Sequence, residues 1–249
     1  MLKISAVIIT YNEEKNIGRC LESLQGVVDE ILVIDSFSTD NTQNICSKYG
    51  ANFIQKEWEG YSASKNYGNS MAKYDWILSI DADETLSDEL KSSILRAKQN
   101  DETKAYRISR ITNYCGTWIR HGGWYPDIKF RLFDRRKSKW IGHIHEKLDN
   151  VNEKELPVLD GDCYHYSYYS KEGHRAQADK FSSMAAEDLF HKGKRANGLK
   201  IIFAVIFKFI KGYFLKLGLL DGKAGFNIAW ISAHAVYLKY SKLNKMYAK

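Results

Sequence analysis

Asp81 and Asp83 stand one residue apart at the end of the apolar run Trp76-Ile77-Leu78-Ser79-Ile80. A short apolar run bounded by polar residues is the pattern of a buried strand. The two carboxylates then fall at its C-terminal tip, where open α/β sheets bind their ligands. Asp-x-Asp offers closely spaced oxygens to a hard cation such as Mg²⁺ or Mn²⁺, which keeps further positions for water and phosphate. The motif is short, and a solvated Asp turn has the same pattern. Two other strand ends add to it. Thr10, Asn12 and Glu13 follow the run at residues 4–9, and Asp35 and Asp40 close or follow the run at residues 30–35. In a parallel sheet all three tips share one edge. Carboxylates gathered there repel one another unless a cation sits among them. A divalent metal holding a diphosphate meets that condition.

The elements that must hold these groups follow from the periodicity. Residues 4–9 are nearly all β-branched or apolar, as expected of a parallel strand buried on both faces. Ile17, Cys20, Leu21 and Leu24 then recur at helical spacing. Residues 30–35 repeat the strand and 36–40 the loop, and a helix follows through Cys46, with Thr39 or Asp40 placed to cap it. Residues 51–55 form a short strand, 62–71 a helix, and the Asp81 strand comes next. Residues 87–98 form an amphipathic helix with Ser87 as cap and Asp88 and Glu89 in its first turn. This alternation predicts an α/β fold with a mostly parallel, doubly wound sheet flanked by helices. Further on, residues 105–109 and 129–133 read as strands within an aromatic, Gly-rich, basic stretch. Residues 163–167 end the body, and 171–191 are helical. Neither Gly-x-Gly-x-x-Gly after the first strand nor Gly-x-x-x-x-Gly-Lys occurs, which disfavours dinucleotide oxidoreduction and P-loop chemistry.

The 249 residues suffice for one large domain, or for one domain with an appendage. Their net charge of +7 is unevenly placed: residues 171–249 hold fifteen Lys and Arg against five Asp and Glu, leaving the preceding 170 residues at −3. A basic tail suits an anionic surface, and a membrane suits it better than nucleic acid, since no zinc-finger spacing or RNA-binding aromatic motif is present. Cys20, Cys46, Cys115 and Cys163 are far apart, and the N-terminal run is too short for a secretory signal. Reduced thiols in a cytoplasmic protein are therefore expected. Residues 199–220 are long enough nearly to span a bilayer, yet four lysines interrupt them. Spanning would place Lys208 and Lys211 near the bilayer middle, at roughly 2.5–3.5 kcal/mol each. An interfacial amphipathic helix is expected instead, with burial against the body as the alternative, and with Gly212 and Gly218 marking a bend or end. Residues 225–240 form a last apolar helix.

Taken together, Ile8-Ile9-Thr10-Tyr11-Asn12-Glu13, residues 33–42 from Val33 through Asp35 and Asp40 to Thr42, Ser64-Lys65-Asn66-Tyr67-Gly68 and Asp81-Ala82-Asp83 resemble the family-2 inverting glycosyltransferases with the GT-A fold. Arg131-Leu132-Phe133, His143-Ile144-His145-Glu146, His165 and the stretch at residues 220–226 look more loosely like the subgroup that adds glucose or a related hexose to the inner core of bacterial lipopolysaccharide. The resemblance implies a GT-A domain over residues 1–170, with a nucleotide-sugar half at 1–100 and an acceptor half at 101–170. A basic helical, membrane-associated extension over 171–249 follows it. Thr10, Asn12 and Glu13 would line the nucleotide pocket, Asp35 would hold a uracil N–H, Lys65 and Asn66 would lie near the donor, and Asp81 would bond the ribose. Asp83 would bind Mg²⁺ or Mn²⁺, with Asp81, His145 or His165 as further candidate ligands. Inversion by single displacement needs a base beside the acceptor hydroxyl. Glu146 is the first candidate and Asp127 the second. The donor would be a UDP-sugar and the acceptor a lipopolysaccharide-core or other lipid-linked glycan. The enzyme would sit peripherally at the inner face of a bacterial cytoplasmic membrane, docked through residues 199–220.

Three rivals compete. Asp81-Ala82-Asp83-Glu84-Thr85 fits the Asp-x-Asp-x-Thr phosphatase pattern, but two strand–helix units precede it and the later acidic pair is missing. A non-catalytic membrane-surface module with a transferase-like fold is a second. A sugar-nucleotide-forming nucleotidyltransferase would need a Gly-rich triphosphate loop where Thr10-Tyr11-Asn12-Glu13 stands.

Overall fold

A computed structural model describes residues 1–99, 105–142, 146–151 and 156–248. The chain divides into two compact units: Met1–Arg110 with Asp127–His165, and Ile111–Pro126 with Tyr166–Lys249.

The first unit begins as the periodicity predicts. Strands β1 (Ile4–Thr10), β2 (Glu30–Asp35), β3 (Asn52–Gln55) and β4 (Trp76–Asp81) alternate with helices α1 (Ile17–Leu24), α2 (Thr42–Lys48) and α3 (Tyr61–Met71). The four strands are parallel in the order β3-β2-β1-β4. The apolar runs of β1, β2 and β4 are buried on both faces: Ile4, Ala6, Ile8 and Leu78 are enclosed on one side, and Val7, Ile34 and Ile77 on the other. Gly68 lets α3 approach the sheet. A Cβ there would lie 2.5 Å from Val7 Cγ1 and 2.9 Å from Ile34 Cγ1. Register then does the functional work: Thr10 pairs with Asp35 across β1 and β2, and Ile9 with Asp81 across β1 and β4. Three polar strand ends therefore meet at one edge.

Beyond β4 the sheet turns mixed. A tight turn leads into β5 (Glu84–Leu86) and then α4 (Asp88–Ala97). Ser87 Oγ accepts from Leu90 N at 3.2 Å, and Asp88 and Glu89 sit in the first turn, where the helix dipole favours negative charge. Strand β8 (Asp127–Asp134) joins antiparallel to β4, and β6 (Ala105–Tyr114) antiparallel to β8. Strand β11 (Val158–Tyr168) runs antiparallel to β5, with His165 opposite Glu84. Strands β9 (Trp140–Ile141) and β10 (Lys147–Leu148) form a small separate hairpin.

The second unit is mostly helical: α5 (Lys171–His191), α6 (Gly198–Ile210) and α7 (Gly222–Tyr247), with the short strand β7 (Thr117–Ile119). Residues 199–220 are not one continuous helix. After α6 comes a π turn at Lys211–Leu215, then Leu217 in the left-handed region and a 3₁₀ turn at Gly218–Asp221. Glycines force this break into a tight fit. A Cβ on Gly225 would lie 1.8 Å from Gly218 O, so the 3₁₀ turn can rest on α7 only where side chains are missing. No residue of α6 is buried. Among the described residues, no helix is long and apolar enough to cross a membrane.

Tyr114, Ile119, Ala224 and Ile228 form the second unit's small core. His174 is buried against it, its Nδ1 3.2 Å from Tyr114 Oη. Burial pushes the imidazole down to about 4. The unfolded chain therefore takes up a proton near pH 6.5 that the folded chain resists until about pH 4. The stability carried by neutral His174 is complete above the higher value and drains away as pH falls between the two, by up to about 3 kcal/mol. Thermal unfolding compared at pH 7 and pH 4.5 should show this loss in the wild type and a smaller one in His174→Gln. An equal loss in both would contradict it.

Candidate active site

Thr10, Asp35 and Asp81 end β1, β2 and β4 at one edge of the sheet, beside a cavity of about 680 Å³ in the first unit. Thr10, Glu13, Asp81, Asp83 and His165 line it, with the aromatic pair Trp58 and Tyr61. These two rings meet edge-on at 4.8 Å, and both are about half exposed.

The two carboxylates of the motif have different surroundings. Asp81 is committed. Its Oδ2 accepts from Arg131 at 2.7 Å, and its Oδ1 lies 3.3 Å from Lys65 Nζ. Burial alone would raise the Asp81 carboxyl, but the Arg131 and Lys65 charges outweigh it and hold it well below the usual carboxylate range. Arg131 also donates to the wholly buried Glu84 at 2.5 Å, and Glu84 takes a second guanidinium from Arg110 at 3.0 Å. The other Glu84 oxygen accepts from Asp81 N at 3.1 Å, closing the turn between β4 and β5. Asp83 lies in that turn and also lines the cavity. Its Oδ2 is 3.1 Å from His165 Nε2, and the buried His165 Nδ1 has no partner among the described residues.

This pair fits a metal better than Asp81 does. Two adjacent ligands, each about 2.1 Å from one octahedral ion, stand roughly 3 Å apart. A carboxylate and an imidazole nitrogen suit Mn²⁺ or Mg²⁺. Among the described residues no three His, Cys, Asp or Glu side chains gather as a closed cation site. Other positions on an ion there would fall to water and a bound anion. Asp81, considered as a ligand from sequence, already faces Arg131 and Lys65. His143 and His145 lie outside the described residues.

The other candidates sort by what holds them. Thr10 is buried, its Oγ1 unpartnered among the described residues. Asn12 has positive φ and accepts from Thr39 N at 2.8 Å, fastening the first loop to the second. Burial raises the Glu13 carboxyl. Asp35 is fully buried and spends its oxygens on Ser38 N at 2.8 Å, Ser38 Oγ at 2.5 Å and Gln55 Nε2 at 3.3 Å. It organises the loop behind the cavity, and Ser36 stands in the lining instead. Asn66 is likewise committed: its amide brackets Trp140, donating to O at 2.8 Å and accepting from N at 2.9 Å. Asp127 makes a poor base. Arg110 at 2.6 Å and Lys129 at 3.0 Å outweigh the effect of burial and hold its carboxyl below the ordinary value. Glu146 stands close enough for its charge to act on Tyr61: burial first, then Glu146, Asp81 and Asp83, raise that phenol.

Sequence reasoning missed Glu84, Arg110, Trp58 and Tyr61. It had Arg131 only as part of a family pattern. The available signal was an arginine in the second half of β8, whose last four residues, Arg131–Asp134, are all buried. In the same geometry Asp81, the nucleophile that the phosphatase alternative requires, faces Arg131 and Lys65.

An α/β sheet with carboxylates at its strand tips places a polar cavity at the edge where open sheets of this kind bind their ligands. The comparisons identify the chain further. Residues 5–166 match the model of glycosyl transferase family 2. A glycosyltransferase of Rickettsia typhi is 34% identical over 260 residues, covering 100% of this chain and 89% of the relative. The lipopolysaccharide core biosynthesis glycosyltransferase LpsC of Rhizobium meliloti is 28% identical over 260 residues, covering 99% and 94%. Among solved structures, TarS 1–349 of S. aureus aligns over 99% of this chain and 91% of its own at 17% identity, with a TM-score of 0.47. Glucosyl-3-phosphoglycerate synthase of Mycobacterium tuberculosis, solved with Mn²⁺ and UDP-glucose, aligns over 45% and 44% at 21% identity, with a TM-score of 0.37. The chain belongs to glycosyl transferase family 2 and is a glycosyltransferase.

The locked and free carboxylates should separate in stability measurements. Arg131→Met leaves Glu84 and Asp81 short of a partner and should cost about 3–5 kcal/mol in urea unfolding. Asp83→Ala, at a turn beside the cavity, should change stability by less than about 1 kcal/mol. Equal costs would contradict the distinction.

Proposed function

We propose that the chain is a metal-dependent inverting glycosyltransferase. It moves a hexose from a UDP-sugar to a lipopolysaccharide-core or other lipid-linked acceptor at a membrane surface. The carrying observation is the contrast at the motif: Asp81 is fixed by Arg131 and Lys65, while Asp83 faces His165 at the cavity. Asp83 and His165 would hold Mg²⁺ or Mn²⁺, which when bound neutralises charge on the departing diphosphate. Asp81, held in place, is positioned to accept from a ribose hydroxyl. Thr10 Oγ1 and Glu13 offer the nucleotide a donor and an acceptor beside it. Trp58 and Tyr61 give apolar faces suited to a sugar ring.

Glu146 is the proposed base. It would take the proton of the acceptor hydroxyl as that oxygen forms its bond to the anomeric carbon, and the bond from that carbon to the diphosphate breaks on the opposite face. The membrane-facing part of the reading draws on the apolar surface of the second unit, where Leu199, Phe203 and Leu215 are 68%, 69% and 67% exposed. The lipopolysaccharide acceptor draws support from the name of the LpsC relative.

Release of UDP from a panel of UDP-sugars, with Mn²⁺ or EDTA, tests the reading. One sugar should be hydrolysed, and EDTA or Asp83→Ala should abolish the signal. Undiminished hydrolysis by Asp83→Ala would remove the metal role. Glu146→Gln should keep donor affinity and lower acceptor-dependent turnover by about 10²–10⁴. Normal turnover would exclude Glu146 as the base.

A further inference from the structure

The second unit contains its own cavity, of about 430 Å³, lined by none of the residues proposed for glycosyl transfer. Lys208 on α6, Lys211 and Lys216 on and after the π turn, and Lys239 on α7 all line it, together with His121. Among the described residues of the lining the one carboxylate, Asp221, is already taken. It accepts from Arg120 N at 3.2 Å and His121 N at 2.9 Å and faces His121 Nδ1 at 2.9 Å. None of the four lysines has a carboxylate partner among the described residues. Their charges act on one another: burial first, then Lys211, Lys216 and Lys239, lower the Lys208 ammonium. The backbone makes room for this arrangement. Lys216 passes close over Gly123, where a Cβ would lie 2.4 Å from its Nζ.

Four cations around one cavity repel one another unless an anion sits among them. The walls and surroundings narrow the anion's type. Phe207, Ala204 and Val236 share the lining with the lysines. Along α6, Ile202, Phe203 and Ile206 stand 50–69% exposed, and Phe226 and Trp230 of α7 add to the same unit's apolar surface. A free inorganic anion or a nucleic acid would leave that surface in water, whereas a phosphate carrying acyl chains would cover it. We propose that this cavity binds the phosphate headgroup of a lipid, with the acyl chains lying along the apolar face of α6. The proposal rests on the membrane reading of this unit and gives it a defined site.

The test is calorimetric titration of the full chain with dihexanoyl phosphatidate below its micelle concentration. Dihexanoyl phosphatidylcholine and inorganic phosphate serve as comparisons. Two variants lose equal charge: Lys208→Gln with Lys239→Gln in the cavity, and Lys180→Gln with Lys194→Gln outside it. Thermal unfolding checks that each is folded, and Lys211→Gln provides a second cavity variant. Saturable phosphatidate binding should weaken about tenfold or more in the cavity pair and less than about twofold in the control pair. Phosphatidylcholine and phosphate should bind more weakly than phosphatidate. No saturable binding, equal weakening by both pairs, or equal affinity for phosphatidylcholine would overturn the proposal.

Vesicle sedimentation then separates the sources. Cavity-dependent binding to phosphatidylglycerol vesicles indicates a bilayer phosphodiester, and binding only to vesicles bearing a phosphomonoester glycolipid indicates a phosphorylated acceptor. Cavity-dependent phosphatidate binding without attachment to either vesicle would sustain the site and defeat the membrane reading. Attachment that both pairs weaken alike would do the reverse.

Discussion

Arg131 reaches two carboxylates at once, Asp81 at 2.7 Å and Glu84 at 2.5 Å, and the turn from β4 to β5 is built on that contact. An arginine suits this position because its planar fork stays charged and can serve two acceptors in fixed geometry. A buried ion cluster of this kind adds little net stability compared with an apolar core, but losing one member is costly. Its value here is directional. The cluster occupies Asp81 and fixes the β4–β5 turn through Glu84, while Asp83, which lines the same cavity, faces His165. The same turn places β5 against β11, and that pairing brings His165 to Asp83.

Much of this arrangement was legible in the chain. The apolar runs at 4–9, 30–35 and 76–80 must be strands buried on both faces, and strands of that kind pair in parallel with their polar ends together. Asp81 and Asp83 follow from pattern alone. The capped helix at Ser87 and the helix Lys171–His191 were equally readable, because local spacing and capping chemistry determine them.

The parts that were not legible depend on pairings between distant residues. Nothing near Arg131 shows that β8 will lie beside β4 and carry its guanidinium to Glu84. The Asp83–His165 contact needs the register of β11 on β5, across some eighty residues of chain. Asp35 and Asn66 look like ligand-binding groups in sequence, since polar residues at strand and helix ends often are. In the structure their hydrogen bonds go to the loop at Ser38 and to Trp140 instead. In sequence the lysines of residues 199–220 read as interruptions of an apolar run. Only the turn after Ile210, and the close glycine contacts that seat it on α7, bring Lys216 and Lys239 into the same cavity.

The central claim is that the two aspartates divide their work, Asp81 fixed by Arg131 and Asp83 holding the ion with His165. A crystal structure with UDP and Mn²⁺, read at the manganese anomalous edge, tests it most directly. The account predicts one peak within about 2.3 Å of an Asp83 oxygen and His165 Nε2, with Asp81 still bonded to Arg131. A manganese peak on Asp81, with Arg131 displaced, or a peak touching neither Asp83 nor His165, would contradict it.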